Sequence, residues 1–169
     1  MPPHGPLPVL ALLATTFANA DVCDKEFPVP KPEIVPVGWV TDYDYETNPL
    51  EYLRRQYEKA KAEGSYLYVF FYVEGGRKGR RIRRQIVHWP TLQQVFEGHR
   101  IVMMEVTRIN CIVEAATNRS GPIDFAPLLV KVNSDGSLGS GIDPDSWYEA
   151  PLSVTIRNLQ QFFDRNDEI

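Results

Sequence analysis

Apolar positions along the chain fall into blocks whose spacing switches between helical and extended. Leu50, Leu53, Tyr57 and Ala60 recur at steps of three and four, one stripe of a helix. Asn48 is a capping residue, Pro49 suits the first helical position, and Gly64 supplies a stop. Glu51 and Arg55 stand four apart with the acid first, which supports an exposed helix face. "SYLYVFFYV", residues 65–73, is nearly all aromatic and β-branched, as in a strand buried on both faces. Ile82 and Ile86, with arginines between them, predict a helix with a thin buried edge and a charged outer face. Trp89-Pro90 breaks that helix and opens a short one, with Leu92, Val95 and Phe96 inward and Gly98 at its end.

"RIVMMEVTR", residues 100–108, reads as a second central strand, and "PLLVKVN", residues 127–133, as a third. "SDG", residues 134–136, is a tight-turn signal, and "SLGSGI" is the return strand. A last helix starts near Pro151 and buries Leu152, Ile156, Leu159 and Phe162. "CIVEAATNRSG", residues 111–121, fits either a short helix or a loop. Ahead of these elements, Pro28, Pro30, Pro32 and Pro36 favour an extended arm over residues 21–47, with a short strand at "VGWV". Trp39, Tyr43 and Tyr45 in that arm fit packing on the body or on a partner, core packing being the default. Strands separated by helices predict a parallel pair, and the hairpin adds an antiparallel edge. The expected class is α/β, a mixed central sheet with helices on both faces.

The start of the chain changes the compartment. Residues 1–20 hold an apolar run from Leu7 to Ala14 followed by Ala18-Asn19-Ala20, the layout of a secretory signal peptide, although the n-region has no Lys or Arg. The run is too short to span a bilayer, and no later segment is long and apolar enough to do so. The expected organisation is a leader over 1–20, the arm over 21–47 and a folded domain over 48–169, exported to the periplasm or the extracellular space. Export brings the two cysteines into an oxidising environment. Cys23 and Cys111 then allow one disulfide tying arm to body, or a buried Cys111 with a free Cys23; both readings stay open.

Charge is segregated within a net balance of −4. Residues 21–47 hold seven acidic and two basic side chains, whereas residues 77–84 hold six basic ones and no acid. Segregation of this kind marks an internal pairing or a docking face. The acidic overall balance argues against nucleic acid as a partner. The basic stretch lacks the "GKS" or "GKT" ending of a phosphate loop. His88 and His99 have no cysteine or carboxylate at metal spacing, so no metal is expected. Asp143, Asp145 and Glu149 make too short an alternation for a calcium loop, and Asn118-Arg119-Ser120 is a glycosylation sequon.

The element order, with "VFFYV" before a helix and "HWPTLQQVF" opening the next, resembles the thioredoxin-like fold over about residues 48–165. In that family a C-x-x-C motif begins about five residues after the strand's paired phenylalanines. The resemblance places the motif at Gly76-Arg77-Lys78-Gly79, with glycine at both cysteine positions, and makes Pro127 the cis-proline candidate. Thiol–disulfide exchange needs a nucleophilic thiolate and a resolving sulfur. Neither glycine supplies one, so no catalytic residue and no cofactor are expected. A helix N-terminus favours anions. One reading of Gly75, Gly76, Arg77, Lys78, Gly79, Arg80 and Arg81 is therefore a site for an anion or acidic peptide; the other is a solvated helix face. The expected function is a redox-inactive binding module whose partner is another exported protein or peptide. The alternative is a thiol-dependent oxidoreductase or mixed-disulfide protein using Cys111 or Cys23.

Overall fold

The computed structural model describes residues 32–73, 75–105, 128–142 and 150–167. Helix α1, Pro49–Ala62, begins as its sequence predicts: the Asn48 side chain accepts the Leu50 N–H at 2.9 Å and Pro49 occupies the first turn. Strand β1, Tyr66–Tyr72, follows after Gly64, whose φ of +69° ends the helix. Helix α2, Arg77–His88, and the short helix α3, Pro90–Val95, lead to strand β2, His99–Glu105. Strands β3, Leu128–Val132, and β4, Leu138–Ile142, form the hairpin, and helix α4, Leu152–Asn166, follows.

The strands lie in the order β2-β1-β3-β4. β1 and β2 are parallel from Tyr66↔His99 to Tyr72↔Glu105. β3 runs antiparallel to β1, with Val69 opposite Val130, and β4 antiparallel to β3, with a register shift between Val130 and Val132. The arm reaches the outer edge of β2, where Val40 bridges to Val102 in parallel. Its N–H donates to the Ile101 carbonyl and its carbonyl accepts from the Met103 N–H, both at 2.8 Å. A parallel β-α-β unit followed by an antiparallel β-β-α unit, in this strand order, is the thioredoxin-like arrangement.

Each sheet face has its own core, as the unbroken apolar run of β1 requires. Leu67 and Val69 join Val102, Met104, Val130 and Leu53 beneath α1. Tyr68, Phe70 and Tyr72 point to the other face, against Ile82 and Ile86 of α2, Leu92 of α3 and Leu159, Phe162 and Phe163 of α4. Trp39 from the arm lies against Phe70 and Phe96, each ring centre 5.3 Å away. The stripe of α1 is rotated from the expected one. Leu53 and Ala60 are buried, Leu50 and Tyr57 only half so, and Tyr52 and Gln56 take the remaining inward positions. Both polar groups are satisfied there: the Tyr52 hydroxyl donates to Asp42 at 2.6 Å, and Gln56 accepts from the Arg100 Nε–H at 2.9 Å.

All four strands hold the end of α4. The Tyr68 hydroxyl donates to Asp167 Oδ1 at 2.6 Å, and His99 Nε2 meets Asp167 Oδ2 at 2.7 Å. The Lys131 ammonium donates to the Asn166 carbonyl, and Ser140 Oγ to Asn166 Oδ1 at 2.5 Å. Phe163 stacks on the His99 ring at 4.0 Å. Burial, reinforced by the bond to Asp167, pushes the Tyr68 hydroxyl above its ordinary pKa, so it stays a donor. Asp167→Ala removes the acceptor from the fully buried Tyr68 hydroxyl and from His99. Urea unfolding is expected to register a loss of about 2 kcal/mol, the cost of stranding buried polar groups. A smaller loss is expected for Asp167→Asn, which keeps an acceptor.

Candidate functional site at the start of helix α2

The turn between β1 and α2 is built for glycine. Gly75 sits at φ +82°, in the left-handed region that penalises a side chain. Gly76 caps α2 with φ −65° and ψ 125°, and its N–H donates to the Val73 carbonyl at 2.9 Å. A Cβ at Gly76 would stand 2.9 Å from that same carbonyl oxygen, closer than real Cβ contacts allow. Gly76 has no side chain with which to cap the first-turn amides. Those amides and the helix dipole present a partial positive charge.

The sequence adds positive charge to this positive end. The first turn of α2 contains no acid. Arg77 and Lys78 project there, both exposed. Cations in a first turn cost about 0.3–1 kcal/mol each at an exposed helix end. They add to the positive potential of the helix start, which attracts anions. Gly79 is buried at the end of that turn, Arg81 and Arg84 are exposed, and Arg80 is half-buried. Arg80 Nη2 pairs with Glu33 Oε2 of the arm at 3.1 Å, one internal pairing across the segregated charges.

Arg83 corrects the expected outer face. It is 1% exposed, and its guanidinium carbon lies 4.8 Å from the centre of the Tyr72 ring. Gly79, Ile82, Arg83 and Ile86 follow the i, i+3, i+4, i+7 rule of one helix face, so position 83 must turn inward with the isoleucines. A planar guanidinium over an aromatic face is a favourable way to bury an arginine. That spacing was readable in the sequence; the charge of the residue masked it.

Tyr45 closes the neighbouring end of the sheet. Its hydroxyl accepts the Glu105 N–H at 2.5 Å, at the end of β2, and its ring lies 4.6 Å from that of Tyr43. Tyr43 in turn packs on Tyr52 of α1 at 4.6 Å, so Trp39, Tyr43 and Tyr45 all dock on the body. Burial pushes the Tyr45 hydroxyl above its ordinary pKa and keeps it neutral. Asp44 ties the local turn by accepting the Glu46 and Thr47 N–H groups at 2.9 and 2.8 Å, and the Thr47 bond foremost holds its carboxyl below the usual range.

Pro127, Cys23, Cys111, the Asn118 sequon and the acidic residues Asp143, Asp145 and Glu149 lie outside the described residues. The pairing of His99 with Asp167 escaped sequence reading because the partners are 68 positions apart. Among the described residues no three metal-ligating side chains gather, and no helix is long and apolar enough to cross a membrane.

The chain thus has a thioredoxin-like fold with glycines, and no C-x-x-C pair, at the start of the helix after its first core strand. No protein-family model matches the sequence, and no curated protein does. Among solved structures it is similar to a disulphide isomerase from Xylella fastidiosa Temecula1, at 17% identity and a TM-score of 0.49, over 76% of this chain and 98% of that one. It is also similar to a DsbH oxidoreductase, at 11% identity and a TM-score of 0.41, over 83% of this chain and 96% of that one. Strand order and direction by themselves define the fold.

Proposed function

We propose that this protein is an exported, redox-inactive thioredoxin-fold binding module that takes an acidic peptide or anion at the start of α2. The observation that carries this reading is the glycine turn itself. Gly76 and Gly79 stand where the family resemblance places the motif cysteines, and a Cβ at Gly76 would collide with the Val73 carbonyl. A turn of this shape has no room for a side chain at the cap, and Arg77 and Lys78 reinforce the preference of a helix start for negative charge. The leader pattern over residues 1–20 supports export, and the partner is then another exported protein or peptide.

Two measurements test the proposal. Purified protein is expected to show no acceleration of insulin-disulfide reduction by dithiothreitol. Turnover that disappears in Cys111→Ser or Cys23→Ser would overturn it in favour of thiol exchange. A fluorescein-labelled oligo-glutamate peptide is expected to bind, with an affinity that falls as salt is raised, because exposed charges are screened within about 8 Å at physiological ionic strength.

A further inference from the structure

We propose that residues 33–35 of the arm act as an internal strap that competes with an acidic peptide for the face of α2. The inference rests on the binding role given above to the start of that helix. Glu33 already occupies Arg80 at 3.1 Å, with side-chain exposures of 64% and 37% for the acid and the base. Ile34 and Val35 follow it along a groove of about 410 Å³ shared with Arg84, Val87 and His88. The strap is therefore a short extended segment with an acid and two adjacent apolar residues, laid beside the basic helix. Pro32 and Pro36 bracket it and favour the extended form on both sides.

The strap is built to leave without disturbing the fold. Beyond it the arm is fixed by Trp39, buried against Phe70 and Phe96, and by the Val40 bridge to β2. Gly38, at φ +81°, turns the chain between the fixed and the exposed part. Val37 is 87% exposed and Val35 38%, whereas Pro36 between them is buried and anchors the C-terminal end of the strap. An exposed ion pair contributes little to stability, so Glu33 yields to a ligand carrying several carboxylates. The ligand class follows from the segment it displaces: an extended acidic peptide with apolar residues next to its acid.

Glu33→Gln in the full chain removes the internal competitor and leaves every basic residue in place. Anisotropy of labelled oligo-glutamate is expected to show about two- to fivefold tighter binding than wild type, the range an exposed ion pair is worth. The gain is expected to vanish at high salt, where both the pair and the ligand are screened. The melting temperature is expected to stay unchanged, since Glu33 is exposed. Equal affinity for wild type and Glu33→Gln would overturn the strap while leaving the binding role of the turn standing. Binding by neither protein would overturn both.

Discussion

The variant carrying Arg77→Glu and Lys78→Glu is expected to lose at least about tenfold in affinity for oligo-glutamate while its melting temperature holds or rises. Both side chains are exposed on the first turn of α2, where surface substitutions change stability by less than about 0.5 kcal/mol. Glutamates at a helix N-terminus also match the dipole that the native cations oppose, so the helix itself gains. Binding moves the other way. A favourable contact becomes a like-charge one, which costs several kcal/mol at an interface, and 1.4 kcal/mol is already tenfold. Opposite signs for stability and affinity separate a ligand site from a solvated face. Isothermal titration together with a thermal melt reads both. Unchanged affinity at matched stability would make the arginine-rich turn ordinary surface.

Gly136→Ala is expected to have the largest effect on the fold, a loss of roughly 3 kcal/mol or more. Gly136 sits in the β3–β4 turn at φ +86°, a region that costs a residue with a Cβ about 1–2 kcal/mol. The turn also presses on α1. A Cβ there would stand 2.5 Å from the Leu50 carbonyl oxygen and 3.2 Å from the Arg54 nitrogen, both backbone atoms. Neither yields without moving the helix start that Asn48 caps. The turn is otherwise self-consistent: Gly136 N–H donates to the Asn133 carbonyl at 2.9 Å, and Ser137 donates to Asp135 through N–H and hydroxyl at 3.0 and 2.6 Å. Urea unfolding of the variant tests this; a loss under 1 kcal/mol would mean that the hairpin and α1 are not in close contact.

The elements legible in the sequence are those whose signals are local. The cap at Asn48, the stop at Gly64, the break at Trp89-Pro90 and the "SDG" turn all rest on neighbouring residues, and each marks an element boundary in the structure. The doubly buried β1 followed from its continuous apolar run. What the pattern missed is polar chemistry turned inward. Arg83, Tyr52 and Gln56 occupy apolar-facing positions because Tyr72, Asp42 and Arg100 receive them there, and such partners are set by tertiary contact. The His99–Asp167–Tyr68 cluster joins two adjacent strands to the last helix across most of the chain. At the candidate site, Gly75, Gly76 and the basic run were readable as a helix start. The closure of Gly76 onto Val73 and the strap contact from Glu33 to Arg80 were not, since both are matters of conformation.

The most direct test of the central claim is a backbone-amide map of oligo-glutamate binding by two-dimensional NMR on the full-length protein. The first-turn N–H groups of α2 are the atoms proposed to meet the carboxylates. The largest shifts are therefore expected at Gly76, Arg77, Lys78 and Gly79, with smaller ones at Glu33 and Arg80 as the strap gives way. Saturating shifts confined to other surfaces, or none at all, would contradict the proposal that the start of α2 binds anions.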